Sequence, residues 1–156
     1  MKTIIGDLIE LALRGEFDVI VHGCNCFHTM GAGIAKQIRQ NFPEAEFKDR
    51  TETKYGDRHK LGTINSVLHT NMKGIKFYVV NAYTQYSTHS ITKKVLADYD
   101  AIRKAFSLIK RQFKGKRIGY PMIGAGLAKG DWKIISKIID EELDGEDHNL
   151  VIYDRR

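Results

Sequence analysis

Residues 17–35 read FDVIVHGCNCFHTMGAGIA, and this segment is the most informative about the fold. It begins with an apolar run, Phe17–Val21, and ends in a glycine-rich turn, MGAGIA (30–35), that leads into a helical pattern. Residues 117–128, RIGYPMIGAGLA, repeat the order of apolar run and glycine turn. Short apolar runs without polar alternation are typical of strands covered on both faces. The pair predicts two buried strands, each followed by a glycine turn and a helix.

Further apolar runs predict more strands. The predicted strands are Thr3–Ile5, Phe17–Val21, Thr63–Leu68, Ile75–Val80, Arg117–Met122 and Leu150–Tyr153. They alternate with segments that carry the period of a helix. This alternation predicts an α/β domain with helices on both faces of a mainly parallel sheet.

Four segments carry helical periodicity. The longest is 92–113, whose apolar residues form one stripe: Val95, Tyr99, Ile102, Phe106, Ile109 and Phe113. Residues 131–143 carry a second stripe, and Asp131 is placed to cap its start. Two shorter helices are predicted, one after Gly33 and one capped by Asp7.

The composition excludes several classes of protein. The chain has 156 residues, 42% hydrophobic and 28% charged, which fits one folded domain over residues 1–156. No apolar run approaches the roughly 20 residues of a membrane helix, so no membrane association is expected. Cys24 and Cys26 lie too close together to close a useful disulfide loop, which favours a reducing, cytoplasmic setting.

Positive charge is in excess. Lys and Arg outnumber Asp and Glu 25 to 19, a net charge of +6, which favours an anionic partner. The basic residues of 110–117 are interpreted as a solvated helix end, where cations complement the helix dipole. A nucleic-acid surface is the alternative for this run, and we do not expect nucleic acid to be the partner.

The two glycine turns predict binding of linked phosphates. Glycine lets a ligand approach the backbone without a Cβ in the way, and the next helix directs free N–H groups at the same space. Neither turn fits a dinucleotide fingerprint, since Lys36 occupies the final glycine position of the first turn. No Walker phosphate loop occurs in the sequence. A plain tight turn is the alternative for either turn alone.

The segment His22–His28 places His, Cys, Cys and His on alternate residues. In a strand these residues would spread over roughly 20 Å at about 3.3 Å per residue, too far for one zinc ion. We therefore expect no metal or other cofactor and interpret both cysteines as packing residues. A zinc site gathered by a turn after Asn25 is the minor alternative. His22, at the end of a strand, is the candidate for acid–base chemistry.

The chain resembles a macro domain, an ADP-ribose-binding module, over nearly all of its length. The resemblance rests on Gly6-Asp7-Leu8, on VHGCNCFHTMGAGIAKQIRQNFPEAE (21–46), on PMIGAGLAKGDW (121–132) and on the closing run LVIYD (150–154). The block 21–46 is similar to that of the yeast-type ADP-ribose 1″-phosphate phosphatases. The resemblance implies a three-layer α/β/α fold with a mixed, mostly parallel central sheet.

The resemblance also implies roles for matching residues. Asp7 and the Leu8 amide would hold the adenine, Tyr153 would stack on it, and Asn25 would bind the distal ribose. The two glycine turns would enclose the diphosphate and that ribose. The turn residues are Gly31, Ala32, Gly33, Ile34 and Ala35 in the first turn and Gly124, Ala125, Gly126, Leu127 and Ala128 in the second.

The sequence departs from the human-type ester hydrolases of the superfamily. These use a lysine after a central strand and an aspartate after the second glycine turn, whereas this chain has Asn81-Ala82-Tyr83-Thr84 and Ala128 there. The predicted catalytic residues are therefore His22, Asn25 and Asp131, with Asp131 supplying a carboxylate from a shifted position. The predicted activity is metal-independent hydrolysis of ADP-ribose 1″-phosphate. Hydrolysis of ADP-ribosyl or O-acetyl-ADP-ribose esters and non-catalytic reading of ADP-ribosylated proteins are the alternatives.

Overall fold

One six-stranded sheet organises the chain, whose computed structural model describes residues 1–88 and 94–153. The strands are β1 (Lys2–Ile5), β2 (Val19–Cys24), β3 (Ile64–Thr70), β4 (Lys76–Tyr83), β5 (Ile118–Tyr120) and β6 (His148–Ile152). Their order across the sheet is β1-β6-β5-β2-β4-β3. The edge strand β3 runs antiparallel to β4, and the other pairings are parallel.

Helices cover both faces of the sheet. They are α1 (Leu8–Leu13), α2 (Gly33–Asn41), α3 (Pro43–Glu52), α4 (Tyr99–Gln112) and α5 (Trp132–Glu142), with a 3-10 turn at Arg58–Lys60. In β2, Val19 and Val21 pack into the core formed with α4 and α5. Ile20 points the other way, into the core formed with α1 and α2. The predicted mixed sheet between two helical layers is therefore confirmed, and no helix in the described part of the chain is long and apolar enough to cross a membrane.

The long predicted helix 92–113 begins later than its apolar stripe indicates. Residues 92 and 93 lie outside the described residues, and 94–98 are not helical. The helix begins at Tyr99, after Asp98, whose side chain accepts a hydrogen bond from the Ala101 amide at 2.9 Å. The prediction was wrong for Val95, which is exposed, because the neighbouring amides of 96 and 97 bond to the second glycine turn instead.

The strands differ by one to three residues at their ends from the predicted bounds, and three of them, β5, β2 and β6, bear on the site. β5 ends at Tyr120 because Pro121 has no N–H to donate to the sheet. β2 continues through Cys24 rather than ending at Val21, which brings His22 into the sheet. In the closing run, β6 starts at His148 and ends at Ile152, and residue 154 lies outside the described residues.

Helix α3 was not predicted. Its inward residues are Ala45 and Asp49, so it has no apolar stripe to reveal it. Pro43 at its first turn, followed by Glu44, is a helix-start signal that was present in the sequence. The missed helix matters because its buried carboxylate lies behind the candidate site.

Candidate functional site at the carboxyl edge of the sheet

Four neighbouring strands deliver the predicted ligand residues to one edge of the sheet. Strands β1, β6, β5 and β2 lie side by side and are parallel, so their carboxyl ends meet at the same edge. Ligands of open α/β sheets bind in the crevice outside this edge. The segments that leave it carry Asp7, Leu8, Asn25, Gly31–Ala35, Gly124–Ala128, Asp131 and Tyr153. The roles of these residues stay predictions, and the observation is that the strands before their segments end at one edge of the sheet.

The first glycine turn leads directly into α2. Within residues 1–88 and 94–153, the amides of Gly31 through Ala35 donate to no acceptor, and Ala32 gives α2 no side-chain cap. A side chain at Gly31 or Gly33 would meet nothing within 4 Å. Gly33 has φ +59, a left-handed conformation that favours glycine. Exposed amides at an uncapped helix start form an anion-binding surface.

The second glycine turn is built differently. Gly124 has φ +75, and the Gly130 amide donates to its carbonyl oxygen at 2.6 Å, which closes the loop. The Ala128 carbonyl accepts hydrogen bonds from the amides of Leu96 and Ala97. The amides of Gly126, Leu127 and Ala128 have no acceptor among the described residues. A second set of free donors therefore follows β5, the strand next to β2.

The edge near β1 and β6 carries a carboxylate and apolar side chains. Asp7 Oδ1 accepts from the Glu10 amide at 3.0 Å, so the predicted cap is confirmed and Oδ2 is left for another donor. Ile5 pairs with Ile152, which places Asp7 and Tyr153 on adjacent segments. The Tyr153 ring is 60% exposed, and Ile5 is exposed beside it. This arrangement offers a carboxylate and an aromatic face to a flat, polar-edged ring.

Asn25 is buried, and its side chain organises the loop around it. Asn25 Oδ1 accepts from the Phe27 amide at 2.8 Å. Its Nδ2 donates to Thr29, to the carbonyl oxygen at 3.0 Å and to Oγ1 at 2.8 Å. A carbonyl oxygen accepts two hydrogen bonds, so Oδ1 retains one free lone pair. Asn25 can therefore accept a hydroxyl from a ligand without leaving its own loop contacts.

His22 lies inside the protein rather than at the open edge. Its ring is fully buried, and Nε2 lies 2.6 Å from Asn81 Oδ1. Asn81 Nδ2 donates to Ala45 and Asn65, so its Oδ1 is the acceptor and His22 carries its proton on Nε2. Burial lowers the pKa of His22, which keeps the ring neutral. The structure does not bring this ring to the glycine turns.

Asp131 is exposed at the start of α5. Its Oδ1 accepts from the Lys133 amide at 2.9 Å, and its own amide donates to Tyr99 Oη at 3.0 Å. The predicted cap is thus confirmed, and the second carboxylate oxygen faces outward. Ala128, which stands where the human-type ester hydrolases have an aspartate, is buried and has no carboxylate.

A buried ion pair escaped the sequence analysis. Lys60 and Asp49 are both buried, and Lys60 Nζ lies 4.0 Å from Asp49 Oδ1. Tyr83, at the end of β4, donates its hydroxyl to the same Oδ1 at 2.6 Å. Charged residues are rarely buried unless they are paired, so a sequence pattern assigns them to the surface. The sequence signal that could have indicated this pair was Pro43, because the helix that begins there carries Asp49.

The two cysteines are free and buried. Burial raises the pKa of Cys24 well above its ordinary value and also raises that of Cys26, so neither thiol ionises readily. In the described ranges no three His, Cys, Asp or Glu side chains are placed to hold a metal ion. His22 and Cys24 of the His22–His28 segment lie together, with Cys24 Sγ 3.6 Å from His22 Nε2, but among the described residues no third such side chain joins them.

Two open cavities lie elsewhere on the surface. One, of about 610 Å³, is lined by α5 and by Asp144 just beyond it, with Asp140 and Glu141 also on its walls. The other, of about 450 Å³, lies between the 61–63 segment and α4. No glycine-turn residue lines either one. The carboxyl edge is therefore identified by its donors and by topology rather than by cavity size.

Comparisons with known proteins identify the family. Residues 21–139 match the Macro domain family. The chain is 37% identical over 144 residues to an uncharacterized 17.5 kDa protein of the tk-vs intergenic region of Enterobacteria phage T4, covering 90% of this chain and 88% of that protein. It is 26% identical to an ADP-ribose 1″-phosphate phosphatase of Lodderomyces elongisporus, covering 99% of each.

A solved structure shows the same fold. Thermosipho africanus DarTG in complex with ADP-ribose superposes with a TM-score of 0.73 at 12% identity, over 99% of this chain and 42% of that one. The residues that match the family, 21–139, include both glycine turns. The chain therefore belongs to the Macro domain family, an ADP-ribose-binding family.

Proposed function

We propose that this chain binds ADP-ribose derivatives at the carboxyl edge and hydrolyses ADP-ribose 1″-phosphate to ADP-ribose and phosphate. One observation carries the proposal: two glycine turns follow the neighbouring strands β2 and β5, and each has amides that are unpaired within the described residues, those of Gly31–Ala35 and of Gly126–Ala128. The Lodderomyces relative, named for this substrate and similar over almost the whole chain, supports it.

The diphosphate would lie between the two turns. Amides of Gly31 through Ala35 approach it from one side, aided by the positive end of the α2 dipole. Amides of Gly126 through Ala128 approach it from the other. The open space above Gly31 and Gly126 lets phosphate oxygens reach the backbone.

The adenosine end would lie over β1 and β6. The free Oδ2 of Asp7 would accept the adenine amino group, and the exposed ring of Tyr153 would stack on the base. The Leu8 amide would complete the contact with the base. The distal ribose would then lie at β2, where Asn25 Oδ1 would accept one of its hydroxyls.

In the proposed reaction a water oxygen bonds to phosphorus, and the bond between phosphorus and the ribose oxygen breaks. One water proton passes to the ribose oxygen, and the other stays on the released phosphate. The turn amides stabilise charge on the phosphate oxygens, and Asn25 fixes the sugar. Asp131 is the exposed carboxylate proposed to orient the water. His22, being fully buried, is proposed to act on the site only through β2.

Phosphate release tests the activity. The purified chain is incubated with ADP-ribose 1″-phosphate and EDTA, and we expect released phosphate. Asp131→Asn keeps the helix cap, because Asn caps as well as Asp, but removes the charge. We expect this variant to lose at least about tenfold in kcat, or about 1.4 kcal/mol of transition-state stabilisation, with unchanged stability. Full turnover by Asp131→Asn would remove that residue from the mechanism.

A second function, a non-catalytic reader of ADP-ribosylated proteins, is favoured by the burial of His22. A reader would bind ADP-ribose in calorimetric titration and release no phosphate. The same assay with O-acetyl-ADP-ribose tests the ester-hydrolase alternative. Absence of ADP-ribose binding would reject all three. The free, buried thiols of Cys24 and Cys26 support the proposed cytoplasmic setting.

A further inference from the structure

The ammonium group of Lys60 is buried directly behind the candidate site. Lys60 is 5% exposed, and Nζ donates to the carbonyl oxygen of Cys26 at 3.2 Å. Nζ also lies 4.0 Å from Asp49 Oδ1 and 4.9 Å from the centroid of the Tyr83 ring. A buried charge is retained only where such partners compensate its lost hydration. The lysine therefore has a fixed position with a directed hydrogen bond.

That hydrogen bond ends on the residue next to Asn25. The Cys26 carbonyl also accepts from the Gly56 amide at 2.7 Å, and the Cys26 amide donates to Tyr86 at 2.9 Å. Three hydrogen bonds thus fix the backbone of Cys26, and Lys60 supplies the one that carries a charge. Asn25 Oδ1, which holds the Phe27 amide, lies one residue away. A shift of the Cys26 carbonyl would therefore move the side chain proposed to hold the distal ribose.

Asp49 ties the ion pair to the rest of the fold. Its Oδ1 accepts the Tyr83 hydroxyl at 2.6 Å, and Thr53 on the following turn donates to its backbone carbonyl. His28 Nε2 in turn lies 2.9 Å from Thr53 Oγ1. The pair therefore connects α3 and β4 with Cys26, and through Thr53 with His28, in the segment that follows β2.

We infer that Lys60 is a positioning residue for the Asn25 loop, held in place by Asp49. This inference rests on the proposed ADP-ribose site. Lys60 does not contact the ligand in this arrangement. It positions the side-chain oxygen Oδ1 of Asn25. Loss of its hydrogen bond weakens ligand binding even when the protein stays folded, because the loop then samples several positions.

The test uses the full chain and isothermal titration with ADP-ribose. The variant Lys60→Met/Asp49→Asn removes both charges together, and the introduced asparagine still offers an Oδ1 to the Tyr83 hydroxyl. Asp49→Asn alone leaves the Lys60 ammonium without its anionic partner, so it tests whether Asp49 holds Lys60 in place. Lys54→Met makes the same chemical change at an exposed site of the same segment. Thermal melts establish that each variant is folded at the titration temperature.

We expect wild type and Lys54→Met to bind within about threefold of each other, and Asp49→Asn, which leaves the buried ammonium without its anionic partner, to bind more weakly than either. The double variant is expected to bind at least tenfold more weakly. Hydrogen exchange gives a readout that overall stability does not move: the Gly56 and Phe27 amides should exchange faster in the double variant while those of α4 and α5 do not. If the double variant is unfolded, the titration and the hydrogen-exchange measurement are made on Lys60→Met alone.

Wild-type affinity and wild-type exchange in a folded variant that lacks the ammonium would overturn the inference. The proposed function fails in a different way, through a wild-type chain that does not bind ADP-ribose. In that event faster exchange at Gly56 still supports the positioning of the loop, and unchanged exchange still rejects it.

Discussion

The two glycine turns have nearly the same sequence, MGAGIA and IGAGLA, and different conformations. In the first turn the second glycine, Gly33, is left-handed and begins α2. In the second turn the first glycine, Gly124, is left-handed, and α5 begins only at Trp132. The first turn is exposed and uncapped, whereas the second is bonded to segment 94–98 and ends in a capped helix.

The difference shows that a short motif does not fix its own geometry. The packing around each copy decides which glycine adopts positive φ. A Cβ on Gly124 would lie 3.1 Å from Ile135 Cδ1 and 3.2 Å from Ala97 Cβ, whereas one on Gly33 would meet nothing within 4 Å. The second turn is therefore packed at Gly124 and open at Gly126, whereas the first turn is open at both of its glycines.

The largest expected effect compares these two glycines directly. Gly124→Ala should lower the free energy of unfolding by about 2–4 kcal/mol, because it adds overpacking to the cost of a left-handed alanine. Gly33→Ala should lower it by about 1–2 kcal/mol, because only the backbone is strained. Urea denaturation of both variants measures the difference. Equal losses would show that packing does not distinguish the turns.

A smaller effect concerns two buried histidines, one on β2 and one on β6. His22 lies on β2, and His148 Nδ1 accepts from Tyr120, the last residue of β5. Burial lowers the pKa of both in the folded state, so the unfolded chain binds more protons below its own histidine pKa of about 6.5. Stability should therefore fall as pH drops below about 6.5, by at most about 1.4 kcal/mol per pH unit for each histidine.

His22→Gln separates the two contributions, because Gln can still donate to Asn81 but does not titrate. We expect this variant to lose more of the acid sensitivity than His148→Gln. His22 is fully enclosed, whereas His148 lies 3.7 Å from the Asp140 carboxylate, which favours its charged form. Urea denaturation at pH 7.5 and pH 5.5 provides the measurement. An unaltered pH dependence in His22→Gln would contradict the assignment.

The smallest expected effect concerns the caps. Ala32→Ser supplies the cap that α2 lacks and should raise the free energy of unfolding by about 1 kcal/mol. The new hydroxyl would accept from a first-turn amide of α2, so ADP-ribose binding should weaken as stability rises. Thermal melts and calorimetric titration give the two values. Asp131→Ala is the matched change at the second turn, where losing the cap should cost about 1 kcal/mol. An unchanged affinity in Ala32→Ser would mean that these amides do not hold the ligand.

The helix caps and the strand-and-turn order of the candidate site could be predicted because their signals are local. The apolar run before each glycine turn, the caps at Asp7 and Asp131, and the stripe of α4 depend on neighbouring residues in the chain. The same reasoning misplaced the start of α4, because Leu96 and Ala97 bond to a turn that lies far away in sequence. Local patterns carry no information about such partners.

The burial of charged and titratable groups could not be predicted. His22 was assigned to chemistry at the site from its place after an apolar run, yet it lies within the sheet against Asn81. Asp49 and Lys60 read as surface residues, since a charge inside a protein is stable only beside a partner. Each of their partners is distant in sequence, so only folding reveals the pairing.

The alternation of strands and helices and the two glycine turns could be predicted from the sequence, because periodicity and backbone freedom are properties of short segments. The family could be predicted from the resemblance of its motifs, and the turns are the candidate place for a ligand. Three features are visible only in the folded protein: the pairing of β2 with β5, the glycine that is left-handed in each turn, and the charges buried behind Asn25. Those features depend on contacts between segments distant in sequence, where packing and desolvation set the energy.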